Sequence, residues 1–231
     1  EIDEKNYLSF SPRLIRFGSS GLAGVWAEEN TRESIYNAFR RKETFGTSGP
    51  RIKVRFFAGY NFENSNLNDQ DLIQEAYFKN VPMGGDIIRE TGKNPRFLVW
   101  AISDPLGAPL QRVQIIKGWL ADGEQREKVF DVACSDGQSV NPLSHRCPDN
   151  GAKVNLDDCS ISREKGNAEI KTFWQDPEFS NDQEAFYYAR VLENPTCRWS
   201  TWDAVRAEEK PRSDIPVTIQ ERAWSSPIWI K

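Results

Sequence analysis

The sequence predicts a mainly β protein, an antiparallel β-sandwich preceded by a short helical segment. Two observations carry this. Seven β-rich runs, at 52–56, 96–102, 111–119, 127–132, 169–174, 185–192 and 223–230, are separated by Gly, Pro, Asn and Asp. Only one helix pattern, 69–79, falls among them, which argues against alternating strands and helices and for antiparallel pairing.

Each element has its own local signal. In the first run Ile52, Val54 and Phe56 alternate with Arg51, Lys53 and Arg55, the period of a half-buried strand. Ahead of it, Asn30 is placed to cap a helix over 31–42, and Glu33, three positions on, can bond back to the cap. Ile35, Ala38 and Phe39 fall on one face of that helix, and Arg40, Arg41 and Lys42 gather at its end, where positive charge suits the free carbonyls. The breaker cluster 44–50 reads as a linker, dividing the chain into a helical tail, 1–50, and a sandwich domain, 51–231. The polar stretch 61–71 reads as a loop, and the glycine turn at 81–86 as a tight loop before a strand.

Composition excludes several classes of function. At 231 residues with 38% hydrophobic and 28% charged side chains, the chain can bury a core and fold as an ordinary globular protein. Thirty basic residues against 34 acidic ones, with no long run of one sign, leave no electrostatic footprint for nucleic acid. No apolar run approaches the roughly 18 residues of a membrane span. Eight tryptophans are first of all material for packing; on an open sheet face they can also form a stacking platform for sugar rings.

The segment 134–167 is poor in apolar residues and too long for an ordinary hairpin connection, so something other than packing must hold it. Cys134, Cys147, Cys159 and Cys197 supply the means, as two disulfides. Four cysteines allow three pairings and spacing alone does not choose among them; local closure favours Cys134 with Cys147 and Cys159 with Cys197. A metal site is the competing reading, but there is no Cys-x-x-Cys, and His145 with Cys147 does not match common zinc spacings. Disulfides in turn imply an oxidising compartment, periplasmic or secreted.

Catalytic groups are scarce. His145 is the single histidine, so neither a histidine metal cluster nor a Ser-His-acid triad can be assembled from this chain alone. Ser48 lacks the glycine spacing of a nucleophile elbow. Glu28 and Glu29, just ahead of the helix, favour its amino end electrostatically; with Arg32 they also mark a possible domain junction or cleft. We therefore assign no catalytic residue, metal ligand or cofactor to this chain.

Four longer stretches go beyond composition: GLAGVWAEENTRE (21–33), ETFGTSGPRIKV (43–54), FYYARVLENPTCRWSTW (186–202) and AWSSPIW (223–229). Together they resemble the carboxy-terminal part of proteins in the domain of unknown function 3604 family. That family is similar, in its amino-terminal part, to the polymerase and histidinol phosphatase group of metal-dependent hydrolases. The resemblance implies that a divalent metal and its His and Asp ligands belong to a preceding barrel domain, whose last helix corresponds to 31–42, and that the protein is exported and bacterial. It places no metal ligand on this chain. The expected role is non-catalytic, completing that preceding domain, which would be the chain's main partner. The alternative is a β-sandwich module that binds carbohydrate or another cell-envelope ligand.

Overall fold

The structure is a computed structural model and describes residues 14–62 and 65–231. After a 3-10 turn at Leu14–Arg16 the elements are β1 (Leu22–Val25), α1 (Arg32–Arg40), β2 (Thr44–Thr47), β3 (Lys53–Gly59), α2 (Leu72–Lys79), β4 (Val81–Pro82), β5 (Asp86–Ile87) and β6 (Arg96–Ile102). There follow β7 (Leu110–Ala121), β8 (Glu124–Cys134), β9 (Glu169–Gln175), β10 (Ala185–Glu193), β11 (Thr196–Cys197), α3 (Trp199–Arg206), β12 (Thr218–Ile219), β13 (Arg222–Ser225) and β14 (Ile228–Ile230).

Two sheets pack face to face as a sandwich. In the larger, β8, β7 and β10 pair antiparallel, and the other edge of β10 is shared by β13, with Arg190 opposite Trp224, and β14, with Phe186 opposite Trp229. β13 leads on to β2 and β1, while β14 takes β5 as a parallel neighbour. The smaller sheet runs β4–β3–β6–β9, antiparallel throughout. Period-two alternation turns Val54 and Phe56 of β3, Phe97 and Val99 of β6, Val113 and Ile115 of β7, and Tyr187, Ala189 and Val191 of β10 into one buried core between the sheets. On the other side of the smaller sheet Phe57 and Leu98 meet Leu72 and Ala76 of α2. That second layer explains why Phe56, Phe57 and Ala58 form an unbroken apolar run: β3 is covered on both faces.

Some local expectations shift. Thr31, not Asn30, caps α1, its hydroxyl accepting from the Ser34 amide, while the Ser34 hydroxyl accepts from the Glu29 amide. The cap is therefore displaced by one residue, and the back-bond is made by Ser34 instead of Glu33 and reaches the Glu29 amide, two residues ahead of the cap. Residues 44–47 form a strand rather than a linker, because β1 and β13 satisfy their backbone groups from both sides. The run 223–230 is two strands, interrupted at Ser226 and Pro227; Pro227 has no N–H to give a ladder, and its carbonyl instead accepts from Gly84. The second helix begins at Leu72 instead of 69, since Asp69 is engaged in a turn that accepts from the amides of Asn66 and Leu72. Helix α3 was not foreseen from periodicity.

An ion pair is buried between the sheets. Lys117 of β7 donates to the Asp176 carboxylate at 2.7 Å, and both side chains are almost fully buried. The Tyr187 hydroxyl donates to the same oxygen at 2.8 Å, the Glu178 amide to the other oxygen at 2.8 Å, and the Asn94 amide group to the Asp176 carbonyl. Burial, followed by the charge of Asp176, raises the Tyr187 phenol well above its ordinary range, so it stays a donor. Lys117→Ala leaves Asp176 buried and uncompensated, and urea unfolding should show a loss of roughly 3–5 kcal/mol. A loss under about 1 kcal/mol, the scale of an exposed pair, would contradict a desolvated pair.

Candidate functional site

Three surfaces of the described chain hold chemistry, and the first surrounds α1. Trp26, at the end of β1, donates its indole N–H to the Val54 carbonyl at 2.8 Å and carries the Arg55 guanidinium 3.6 Å above its ring. Arg55 donates to the Tyr77 hydroxyl at 2.8 Å, and that hydroxyl donates to the Glu43 carboxylate. Burial, then the bond to Glu43, push the Tyr77 phenol up to about 12. This chain of contacts fixes the segment after α1 to β3 and α2. Glu28, Glu29 and Arg32 all stay exposed. Ala38 of α1 is fully buried and Ile35 half-buried, whereas Arg32 lines a shallow depression with Tyr36 and Phe39, which are 58% and 51% exposed, so this part of the helix surface has no cover among the described residues.

The second surface is the loop-covered end of the sandwich. Cys134 is bonded to Cys147, and Cys159 to Cys197. Polar bonds reinforce these ties. The buried Asp131 carboxylate accepts from Gln114 at 2.6 Å and from the Cys147 amide at 2.7 Å. Asn150 joins Gln111, Ser135 and Asn194. His145, inside this loop, sets its ring edge-on to Phe130 at 5.1 Å. Among the described residues no three of His, Cys, Asp and Glu are grouped to hold a metal ion.

Behind the Cys159–Cys197 disulfide opens a cleft of about 650 Å³ whose lining includes Gly107, Ile161, Arg163, Glu193, Trp202 and Glu221. Glu193 is 1% exposed; its Oε2 accepts from the Ala108 amide at 3.4 Å, and its Oε1 has no partner among the described residues. Burial, and then the negative charges of Asp104 and Glu221, push its carboxyl up to about 8. Asp104 itself stays ionised, since the Arg51 and Leu106 amides bond its carboxylate and hold its pKa low. Sequence reasoning passed over Glu193. The one signal for it was the alternation of β10, where 185, 187, 189 and 191 point inward and 193 is next in the series.

The third surface is the outer face of the larger sheet. Phe186 and Tyr188 of β10, Trp229 of β14 and Trp224 of β13 share it, with Phe186 and Trp229 ring centroids 5.0 Å apart. Trp229 is 39% exposed, and Gly118 lies beneath the Phe186 ring. Trp26, Trp119 and Trp174 instead pack against the core.

A family model described as "Protein of unknown function (DUF3604)" matches residues 2–231. The chain belongs to that family. Neither a curated protein nor a solved structure matches it. Membership of DUF3604 agrees with the long motifs at 21–33, 43–54 and 186–202, of which the first two surround α1 and the third runs through Glu193 to Trp202.

The Glu193 carboxyl gives this DUF3604 chain a defined pH dependence. Its folded-state pKa, about 8, lies above the ordinary carboxylate value near 4.3, so its contribution to stability is full below the unfolded value and is lost as pH rises toward 8. Replacing it by Gln removes this loss, which is at most about 1.4 kcal/mol per pH unit. Urea midpoints measured from pH 5 to 8 should therefore fall less steeply in Glu193→Gln than in the unchanged protein; parallel profiles would contradict a neutral buried carboxyl.

Proposed function

We propose that this chain is a non-catalytic carboxy-terminal portion of an exported bacterial protein and completes a preceding metal-dependent-hydrolase-like domain by packing against it. The observation that carries this is α1: Tyr36 and Phe39 stand exposed beside Ile35, on a helix whose caps and charges are otherwise well formed. A helix that spends apolar residues on an open face has a partner to meet. In this reading residues 1–50 are the tail of the preceding domain, attached to the sandwich through the β2–β13 pairing, and 51–231 form the sandwich domain. Glu28, Glu29 and Arg32 then lie at the junction, and any divalent metal belongs to the preceding domain. Export rests on the two disulfides, which persist in an oxidising compartment, and no helix among the described residues is long and apolar enough to cross a membrane.

The test is co-purification of the separately produced preceding domain with this chain. Tyr36→Asp combined with Phe39→Asp should weaken capture at least tenfold while leaving the urea midpoint of the chain nearly unchanged, because both side chains are exposed. Capture that survives the double substitution would overturn the reading.

A second reading, a carbohydrate-binding sandwich module, is favoured by the aromatic group Phe186, Tyr188, Trp224 and Trp229 on one sheet face. It predicts saturable quenching of tryptophan fluorescence by a soluble β-glucan oligosaccharide that disappears in Trp229→Ala; quenching absent from the unchanged protein would remove it.

A further inference from the structure

The cleft beside Glu193 is distinct from α1 and from the aromatic sheet face, and neither reading above uses it. Its floor is a carboxyl that is 1% exposed and has one oxygen, Oε1, without a donor among the described residues. A buried carboxyl left in that condition costs free energy, and native proteins tolerate it where something else supplies the bond. The backbone is shaped around it: a Cβ at Gly107 would come within 2.9 Å of Oε1, so glycine at this position keeps the space beside the oxygen open.

The lining then defines what can enter. Asp158, Glu193 and Glu221 outnumber Arg163, whose guanidinium donates to the Gly107 carbonyl at 3.4 Å, and Asp104 adds a further fixed negative charge behind Glu193. A cation entering the cleft favours the ionised form of Glu193 beside the charges of Asp104 and Glu221, and a neutral hydroxyl does not. The walls are apolar, with Leu106, Ile161, the Cys159–Cys197 disulfide and Trp202, which is 37% exposed. They suit an alkyl stem; the Trp202 ring already carries the Arg206 guanidinium 5.3 Å from its centroid, so the ammonium group belongs with the carboxylates. A metal ion is the poorer match, because no three ligating side chains are grouped there or elsewhere among the described residues.

We propose that this cleft binds a primary ammonium group on a short alkyl chain, the charge seated against the open oxygen of Glu193 and the stem lying along Trp202 and the disulfide. A free amine and a lysine side chain share that chemistry. The site is a binding site and performs no covalent step.

The experiment is a titration of the whole chain with n-butylammonium chloride, followed by heteronuclear NMR shifts, with n-butanol as the neutral control and N-acetyl-lysine-methylamide as the peptide form. Saturable shifts centred on Ala108, Glu193 and Trp202 are expected with both cations and not with butanol. Glu193→Gln should weaken binding at least tenfold. Trp202→Ala, which changes only the rim, should weaken it several-fold and guards against loss of folding in the first variant. Binding by butylammonium alone assigns the site to small amines, and binding by both assigns it to lysine side chains as well. Absence of saturable shifts with butylammonium, equal binding of butanol, or unchanged affinity in Glu193→Gln would overturn the proposal.

Discussion

The two sheets are held in one relative position by the buried Lys117–Asp176 pair. Apolar side chains attract without direction, and a core of Val, Ile and Phe alone permits neighbouring packings of similar energy. A desolvated ammonium does not: it must find its carboxylate within hydrogen-bond distance or the burial cost is unmet. Lys117 and Tyr187 belong to the larger sheet, whereas Asp176 directly follows β9 of the smaller one. The pair therefore sets where β9 ends against β7 and β10. Around it Phe97, Trp174, Tyr187 and Phe130 form a continuous aromatic group, with neighbouring centroids 4.7 to 6.5 Å apart, which keeps water from the charges.

The opposite end of the sandwich is held by another kind of force. Residues 134–167 bring little apolar surface, and their backbone is fixed by two covalent links and by polar hubs at Asp131 and Asn150. A loop restrained in this way can leave a cleft standing open, because its shape does not depend on closing over a core. The Glu193 cleft lies there, walled on one side by the Cys159–Cys197 bond. One end is thus sealed by a satisfied buried pair, and the other holds a buried carboxyl with one oxygen, Oε1, unpartnered among the described residues.

Much of this was legible in the sequence, for identifiable reasons. Strands such as Arg96–Ile102 and Ala185–Glu193 show a pattern set by which face they bury, and burial is what periodicity reports. Where backbone partners decide, composition misleads: Thr44–Thr47 has the residues of a linker and becomes a strand because β1 and β13 flank it. Pro227 shows the converse, a single breaker splitting an otherwise convincing run into β13 and β14. The Glu193 cleft was out of reach, since its character comes from Asp104, Gly107 and Glu221, residues distant from Glu193 in the chain that only the tertiary fold brings to it.

Membership of DUF3604 extends over nearly the whole sequence and carries no activity with it, so the functional account turns on surfaces. The decisive one is α1, where Tyr36 and Phe39 lie uncovered next to Glu28, Glu29 and Arg32, the residues our proposal places at a junction. The most direct measurement is hydrogen–deuterium exchange across Arg32–Arg40, in this chain alone and in the same chain joined to the preceding domain proposed for it. A partner packed on the apolar side of α1 slows exchange of these amides at least tenfold in the longer protein. Identical exchange in the two would contradict the claim that this sandwich completes another domain.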